Sequence, residues 1–261
     1  MDITNNLEKI TYAFVIIYAI FITFEWLYSI KKGDHFYSQN DVKVNITLGL
    51  ISTVLRILLK GITVKFWLWC YSNSLFKIET SVWSVLLLIL LNEFIFYWFH
   101  RFSHSNKYLW AIHVNHHSSS YFNYSTATRN AVLNVFLINI IWAVLPLIGF
   151  EPIICLSVQS LSFLLTFFQH TQYNLKFKYI GRIINTSQHH KLHHAKNTCY
   201  INKNFGNTLI IFDLLFKTFV KESEKPVFGI TKKTNNNNLF EIIFHEWSDL
   251  IKEKLFLRTK T

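Results

Sequence analysis

Residues 81–117 read SVWSVLLLILLNEFIFYWFHRFSHSNKYLWAIHVNHH. The first part, 81–99, is almost wholly apolar, and histidines begin where it stops. A run of this length crosses a hydrocarbon core of about 30 Å as a helix. Its end delivers His100 and His104, four apart, and then His113, His116 and His117 at i, i+3 and i+4. On a helix each set falls on one face, with β-carbons about 5–6 Å apart. The same spacing recurs in HHKLHH, at His190, His193 and His194 with His189 in front, and His170 closes another apolar run. Ten of the 12 histidines lie in these stretches; only His35 and His245 lie outside. A lone histidine on an apolar face is ordinarily a satisfied core residue. Ten in spaced groups beside apolar runs point to a metal centre. Neutral imidazole is the commonest metal ligand and suits iron, copper and zinc.

The composition is that of a membrane protein. The 261 residues are 51% hydrophobic and 17% aromatic but only 16% charged, against about 25% charged in a soluble domain. The net charge of +11 sits largely beside apolar segments, which suits topology and anionic headgroups better than nucleic acid. Cys70, Cys155 and Cys199 are scattered, with no CxxC pair and no disulfide framework. There is no GxGxxG and no Walker loop, so nucleotide binding has no support. MDITNNLEK lacks the basic region of a cleaved signal peptide, and the apolar run after it reads as a retained membrane helix.

One domain over 1–261 is expected, with membrane helices at about 10–30, 46–72, 81–99, 131–150 and 153–169 and a cytosolic part over 171–261. The fold class is therefore an all-α integral membrane protein, about four to five membrane helices under a cytosolic histidine-rich helical cap. Lys31, Lys32 and Lys43 after the first span, and Lys176, Lys178 and Arg182 after the fifth, place the histidines on the cytoplasmic side. Glu25 is costly within the first span and is either functional or snorkels to the interface. Arg56, Lys60 and Lys65 interrupt the second span. Either one long helix carries this basic stripe into a cavity, or an interfacial piece precedes a shorter span. The turn Gly149-Phe150-Glu151-Pro152 makes the last two apolar runs a hairpin. It crosses fully or dips in and returns; both versions bring His170 back to the cytoplasmic side. Asn92 and Glu93 either partner the histidines or face other helices. An apolar helix is expected over Leu209–Phe219, and a solvated loop over Lys232-Lys233 and Asn235 to Asn238. A final amphipathic helix with Phe240, Ile243, Phe244, Trp247, Leu250 and Ile251 lies on the membrane surface or against the domain.

The boxes H-x3-H, H-x2-H-H and H-x2-H-H, in this order and beside membrane spans, resemble the fatty acid hydroxylase and sterol desaturase superfamily. YSTATR (124–129), FQHTQ around His170, and NTSQHHKLHH followed by NKNFGNTLIIFD look like its alkylglycerol monooxygenase branch. The resemblance covers roughly 10–220. It implies a membrane-bound non-haem di-iron oxygenase that uses O2 to hydroxylate or desaturate a lipid C–H bond. On an ether carbon, hydroxylation gives a hemiacetal that breaks to an aldehyde and an alcohol. It implies two iron ions held by His100, His104, His113, His116, His117, His170, His190, His193 and His194, with His189 as a ligand or the partner of one. Asp213 and Glu93 are expected to orient histidines, and Tyr124 and Arg129 to contact the substrate or its headgroup. The expected partners are a lipid substrate and a separate electron donor, and the location is a bacterial inner membrane or the endoplasmic reticulum. Two positions depart from the branch: Phe212 precedes Asp213 where it carries Trp, and Lys217 replaces a glycine. Rival classes fit less well. One catalytic zinc needs about three protein ligands, and a transporter places its ionisable groups in mid-span.

Overall fold

The structure is a computed structural model that describes residues 3–173, 180–232 and 238–258. Among these residues it is helical, with two isolated bridges, Ile184 to Leu209 and Ala195 to Phe228, and no strand. The helices are α1 (Ile3–Lys32), α2 (Gln39–Ser72), α3 (Val82–Ser105), α4 (Lys107–His117), α5 (Asn134–Trp142), α6 (Val144–Ile148), α7 (Pro152–Gln169), α8 (Ser187–His193), α9 (Ile211–Leu215) and α10 (Leu239–Arg258). Short 3-10 turns stand at Tyr124–Thr128 and Ile180–Arg182. The expected basic residues Lys176 and Lys178, and the loop positions Lys233 and Asn235 to Asn237, lie outside the described residues.

Four helices are long and apolar enough to cross a membrane: α1 over Lys9–Lys32, then α2, α3 and α7. Their outer faces carry large apolar side chains, such as Ile16, Ile20, Phe24 and Leu27 on α1 and Val54, Leu58 and Ile62 on α2. Spaced by three, four or eight residues, these side chains line one face of each helix and suit lipid rather than water. Helix α2 is a single element of 34 residues. The basic stripe therefore rides on one long helix, the first of the two readings.

The fourth apolar run is broken. Pro146 has no N–H to return to the Trp142 carbonyl four residues earlier, and α5 gives way to α6 at Ala143. The pair nonetheless reaches the end of the bundle away from the histidines. There Ile78, in the α2–α3 connection, donates its N–H to the Gly149 carbonyl at 3.0 Å. Gly149 has φ +123°, and a Cβ on it would collide with the Phe76 carbonyl, so only glycine fits. The hairpin thus reaches the α2–α3 connection. Trp67, Leu88, Trp142, Leu145, Phe150 and Cys155 form the core between these helices. Asn92 works here: it accepts from Trp142 Nε1 at 2.8 Å and donates to Ser162 Oγ at 2.9 Å.

Two expectations are corrected or resolved after the histidines. The run Leu209–Phe219 is not one helix; α9 spans only Ile211–Leu215. The chain turns at Lys217, φ 59°, and the N–H groups of Thr218 and Phe219 fold back onto the Asp213 carbonyl at 2.9 and 3.2 Å. Helix α10 packs against the domain, with Ile242 on Val44 and Leu48 and with Leu239 and Ile243 beside it.

Candidate metal centre

Four helix ends converge at one end of the bundle. The last turns of α3 carry His100 and His104. The chain breaks at Asn106, whose side chain caps α4 by accepting from the N–H groups of Tyr108 and Leu109 at 3.0 and 3.2 Å. Helix α4 carries His113, His116 and His117; His170 caps α7; α8 carries His190 and His193, with His194 at its cap.

The nine histidines form two groups, each with one nitrogen per ring within 4.8 Å of all the others: His100, His104, His113, His117 and His193, and His116, His170, His190 and His194. The split cuts across the boxes. On α4, His113 and His117 serve the first group and His116 the second; on α8, His193 serves the first and His190 and His194 the second. Helical geometry explains this. Residues at i and i+4 lie 40° apart around the axis, while i+3 lies 60° to the other side. One box therefore faces two adjacent points. The groups adjoin, with the rings of His117 and His194 stacked at 4.4 Å.

The ring nitrogens suit a metal. His100 Nδ1 donates to the Phe205 carbonyl at 2.9 Å, His193 Nδ1 to the Lys203 carbonyl at 2.9 Å, and His170 Nδ1 to the Thr166 carbonyl at 2.8 Å. A carbonyl only accepts, so each Nδ1 carries the proton and each Nε2 is left with a bare lone pair. The Nε2 atoms of His100, His104, His193 and His194 are buried without a hydrogen-bond partner, a costly arrangement unless something accepts their lone pairs. The Nε2 atoms of His113 and His117 stand 3.0 Å apart, and so do those of His170 and His190. Two imidazole nitrogens bound at about 2.1 Å and at right angles would have about this spacing. Burial, followed by repulsion from neighbouring rings, pulls His113, His117, His190 and His194 far below the ordinary imidazole range. Burial takes His170 to about 4. All are therefore neutral at physiological pH and able to ligate. The donor set fits first-row metal ions such as iron.

His189 is not brought into either group. Its Nδ1 accepts from the Thr186 N–H at 3.5 Å, closing the α8 cap, and its ring packs on Phe219. Asp213, fully buried, accepts from the N–H groups of Phe205 and Gly206 at 2.8 and 2.6 Å and from Thr218 Oγ1 at 2.6 Å. It thus reaches His100 only through the Phe205 peptide. Burial pushes its carboxyl up, against the pull of these donors. Glu93 accepts from Asn207 Nδ2 and from the N–H groups of Thr208 and Leu209 at 3.1, 2.8 and 2.9 Å. The two carboxylates hold the two ends of the loop 205–209 against the histidines.

Arg129 is fully buried and clamps α4 to α2. It donates to the Asn115 carbonyl and Ser118 Oγ, both at 2.9 Å, and to Asn45 Oδ1 at 2.9 Å, and it pairs with Asp41 at 3.2 Å. Burial lowers its guanidinium to about 10 while Asp41 holds it up. Tyr124 stacks on Phe167 at 5.0 Å, and burial raises its hydroxyl to about 12. Neither residue is among those lining the two cavities described below. Sequence reasoning missed Asp41, Asn45 and Asn207; the signal was polar side chains in or beside apolar runs. Glu25 is a hub, accepting from Tyr37 Oη at 2.5 Å, from the Tyr124 N–H at 2.8 Å and from Thr171, the neighbour of His170.

A cavity of about 480 Å³ runs from the histidines between α1, α2 and α7, and His100, His113, His116 and His170 form its end. Both groups thus face it. A smaller cavity of about 220 Å³ lies against His104, His117, His193 and His194, with Trp110, Lys196 and Asn202 on its walls.

Membrane helices, nine clustered histidines able to hold metal and an apolar cavity ending on them define a membrane-embedded protein of the histidine-box type. The family model described as Fatty acid hydroxylase matches residues 85–218, and the chain belongs to that family. It is 31% identical over 247 residues to "Alkylglycerol monooxygenase" of Homo sapiens, covering 94% of this chain and 54% of that protein. It is 27% identical over 246 residues to the protein of the same name in Caenorhabditis elegans, covering 92% and 48%. It is also 27% identical over 137 residues to "Ornithine lipid hydroxylase OlsE" of Rhizobium tropici, covering 52% and 41%. The chain spans about half the length of the curated relatives it matches. No solved structure matches it significantly.

Proposed function

We propose that this chain oxidises a C–H bond of a lipid with O2, using iron held by the nine clustered histidines. The observation that carries the reading is the apolar cavity ending on bare, buried imidazole nitrogens of both groups. Two bound iron ions would supply oxygen activation and hydrogen removal from an unactivated C–H bond. His100, His104, His113, His117 and His193 would hold one ion, and His116, His170, His190 and His194 the other. The chain's own contribution is geometric. Helices α1, α2 and α7 exclude water from the lipid and lead one of its carbons to the histidines. The carbonyls of Phe205, Lys203 and Thr166 fix which ring nitrogen ligates. Asp213 and Glu93 position the loop that supplies one of these carbonyls, and His189 acts in the cap of α8. The smaller cavity, which meets a different set of histidines from the lipid's, gives a separate electron donor its own approach. The names of the relatives favour ether lipids first, with other acyl lipids and sterols after them. On an ether carbon, hydroxylation would end in cleavage to an aldehyde and an alcohol. Positive-inside reasoning puts the centre on the cytoplasmic side.

The test is metal content together with oxygen consumption. Purified protein in lipid nanodiscs is expected to hold about two iron ions per chain, one for each histidine group. With a reductant it should consume O2 only when an oxidisable lipid is present. Full activity with zinc alone would refute the reading.

A further inference from the structure

The cavity is not uniformly apolar, and its polar residues are not where an uncharged chain would need them. Arg56 lies on its wall, in the middle of α2, within a segment long and apolar enough to cross the membrane. A guanidinium at that depth costs several kcal/mol unless it is paired, and by default it marks a ligand path. Among the described residues no carboxylate pairs with Arg56; its guanidinium lies over the Phe163 ring at 5.7 Å. On α7, facing it, Gln159 stands one turn before Phe163 and lines the same cavity. Its side-chain Nε2 is buried with no hydrogen-bond partner. Two donors on facing helices therefore look into one cavity: Gln159 Nε2 has no acceptor, and Arg56, whose charge interacts with the Tyr18 hydroxyl on the same wall, has no carboxylate. Ser52, Thr53 and Ser160 add hydroxyls to the same walls.

We infer that the cavity binds single-chain lipids by an anionic group, phosphate or carboxylate, seated between Arg56 and Gln159. An anion supplies the acceptor that Gln159 Nε2 lacks and the countercharge that Arg56 lacks, and a charge-assisted bond to guanidinium is strongest where water is excluded. The site lies at a set depth. Phe163 precedes His170 by seven residues, about 10 Å along the helix. The anion is thus held about two turns from the histidines, and the chain between them spans that gap. A neutral alkylglycerol or a sterol offers hydroxyls only and leaves the guanidinium charge uncompensated. The orientation of the chain toward the histidines rests on the oxidation reading above; the anion site itself does not.

The experiment measures binding and turnover separately, with the protein in phosphatidylcholine nanodiscs. Four probes share a sixteen-carbon chain or mimic one headgroup: 1-O-hexadecyl-glycerol-3-phosphate, palmitate, neutral 1-O-hexadecylglycerol and inorganic phosphate. At least one of the two anionic lipids is expected to bind on the order of 10- to 100-fold tighter than the neutral ether. Which one wins distinguishes phosphate from carboxylate. Inorganic phosphate should compete weakly, since it lacks the chain. Arg56→Gln should abolish the preference while leaving the neutral ether's affinity and the bound iron unchanged; Arg56→Lys should keep part of it. Gln159→Leu should lower the same preference by a smaller factor, which gives a second reading if the arginine variants do not fold. Equal binding of all three lipids by wild-type protein would overturn the inference. So would an Arg56→Gln loss equal for anionic and neutral lipids. Selective binding of an anionic lipid without oxidation would uphold the site and refute the oxidation reading instead.

Discussion

Replacing Asp213 with asparagine removes a charge and keeps the shape, which makes it a sharp probe of how the loop over the histidines is held. In the native chain Oδ1 accepts from the Phe205 N–H at 2.8 Å and from Thr218 Oγ1 at 2.6 Å, while Oδ2 accepts from the Gly206 N–H at 2.6 Å. Asparagine has one oxygen. If it keeps Phe205 and Thr218, its NH2 group points at the Gly206 N–H, and a buried donor loses its acceptor. Such an orphan costs about 1–3 kcal/mol. The peptide disturbed is the one whose carbonyl accepts from His100 Nδ1 at 2.9 Å. If that cost falls on the His100 position, iron affinity drops by about 5- to 150-fold. This range brackets the 10–100-fold common for partners that orient a ligand. The assay is iron per chain after dialysis against graded chelator, alongside thermal unfolding of the metal-free protein. An Asp213→Asn protein that melts lower yet retains iron and activity like wild type would refute the coupling. It would leave Asp213 as a brace of the fold.

Other consequences are equally direct. His104→Ala and His170→Ala each remove a ring from a different group, so each should lower bound iron from about two per chain toward one while the protein stays membrane-inserted; full iron in either variant, by metal analysis, would break the grouping. Arg129→Leu leaves Asp41 buried without its cation, which should cost about 3–5 kcal/mol, read as a fall in melting temperature; an unchanged melting point would contradict the clamp. Lys217 sits at φ 59°, where a side chain costs about 1–2 kcal/mol relative to glycine, so Lys217→Gly should raise the melting temperature by a few degrees without changing turnover; a lower melting temperature would show that its side chain matters more than its backbone. The metal-free protein should lose stability as pH falls from about 6.5 toward 4. His170 is held at about 4 when folded, so the unfolded chain binds the proton first, at about 1.4 kcal/mol per pH unit for each such histidine; a flat melting profile over that window would rule this out.

What the sequence made legible follows from periodicity. Apolar runs and the i, i+3, i+4 spacing depend on local helix geometry alone, and both the spans and the clustering of the nine histidines could be read from them. The partition into five and four could not. It depends on where α4 and α8 point relative to α3 and α7, and that is a tertiary fact. The roles of Arg129 and Tyr124 were hidden for the same reason. A single arginine in a polar stretch reads equally as a headgroup contact or a buried clamp, and only the positions of Asp41, Asn45 and the end of α4 distinguish them. The expected helix over Leu209–Phe219 failed because apolar content says nothing about Lys217 in a left-handed conformation. The glycine that the family resemblance places at that position was the available clue.

The distribution of polar contacts gives the centre its rigidity. Beyond the membrane helices the chain near the histidines has little regular structure, and the hydrophobic cluster there comprises only Leu192, Ala195 and Tyr200, with Val220 against it. Buried hydrogen bonds take over. Asn204 donates to the carbonyls of His189 and Val220 and accepts from the Val220 N–H, while Asn185 donates to the carbonyls of Gly206 and Asn207. With Asp213 and Glu93 these side chains fix the loop 204–209 at nearly every peptide. A network of this kind is directional, and each member loses most of its worth if a neighbour moves. A small apolar core could hold the loop in place but would let it slide. The carbonyl that sets the His100 tautomer cannot slide without changing which nitrogen faces the other histidines of its group. Loop and ligand precision are therefore the same requirement, and it explains why buried carboxylates and amides, rather than hydrophobic packing, surround the histidines on this side.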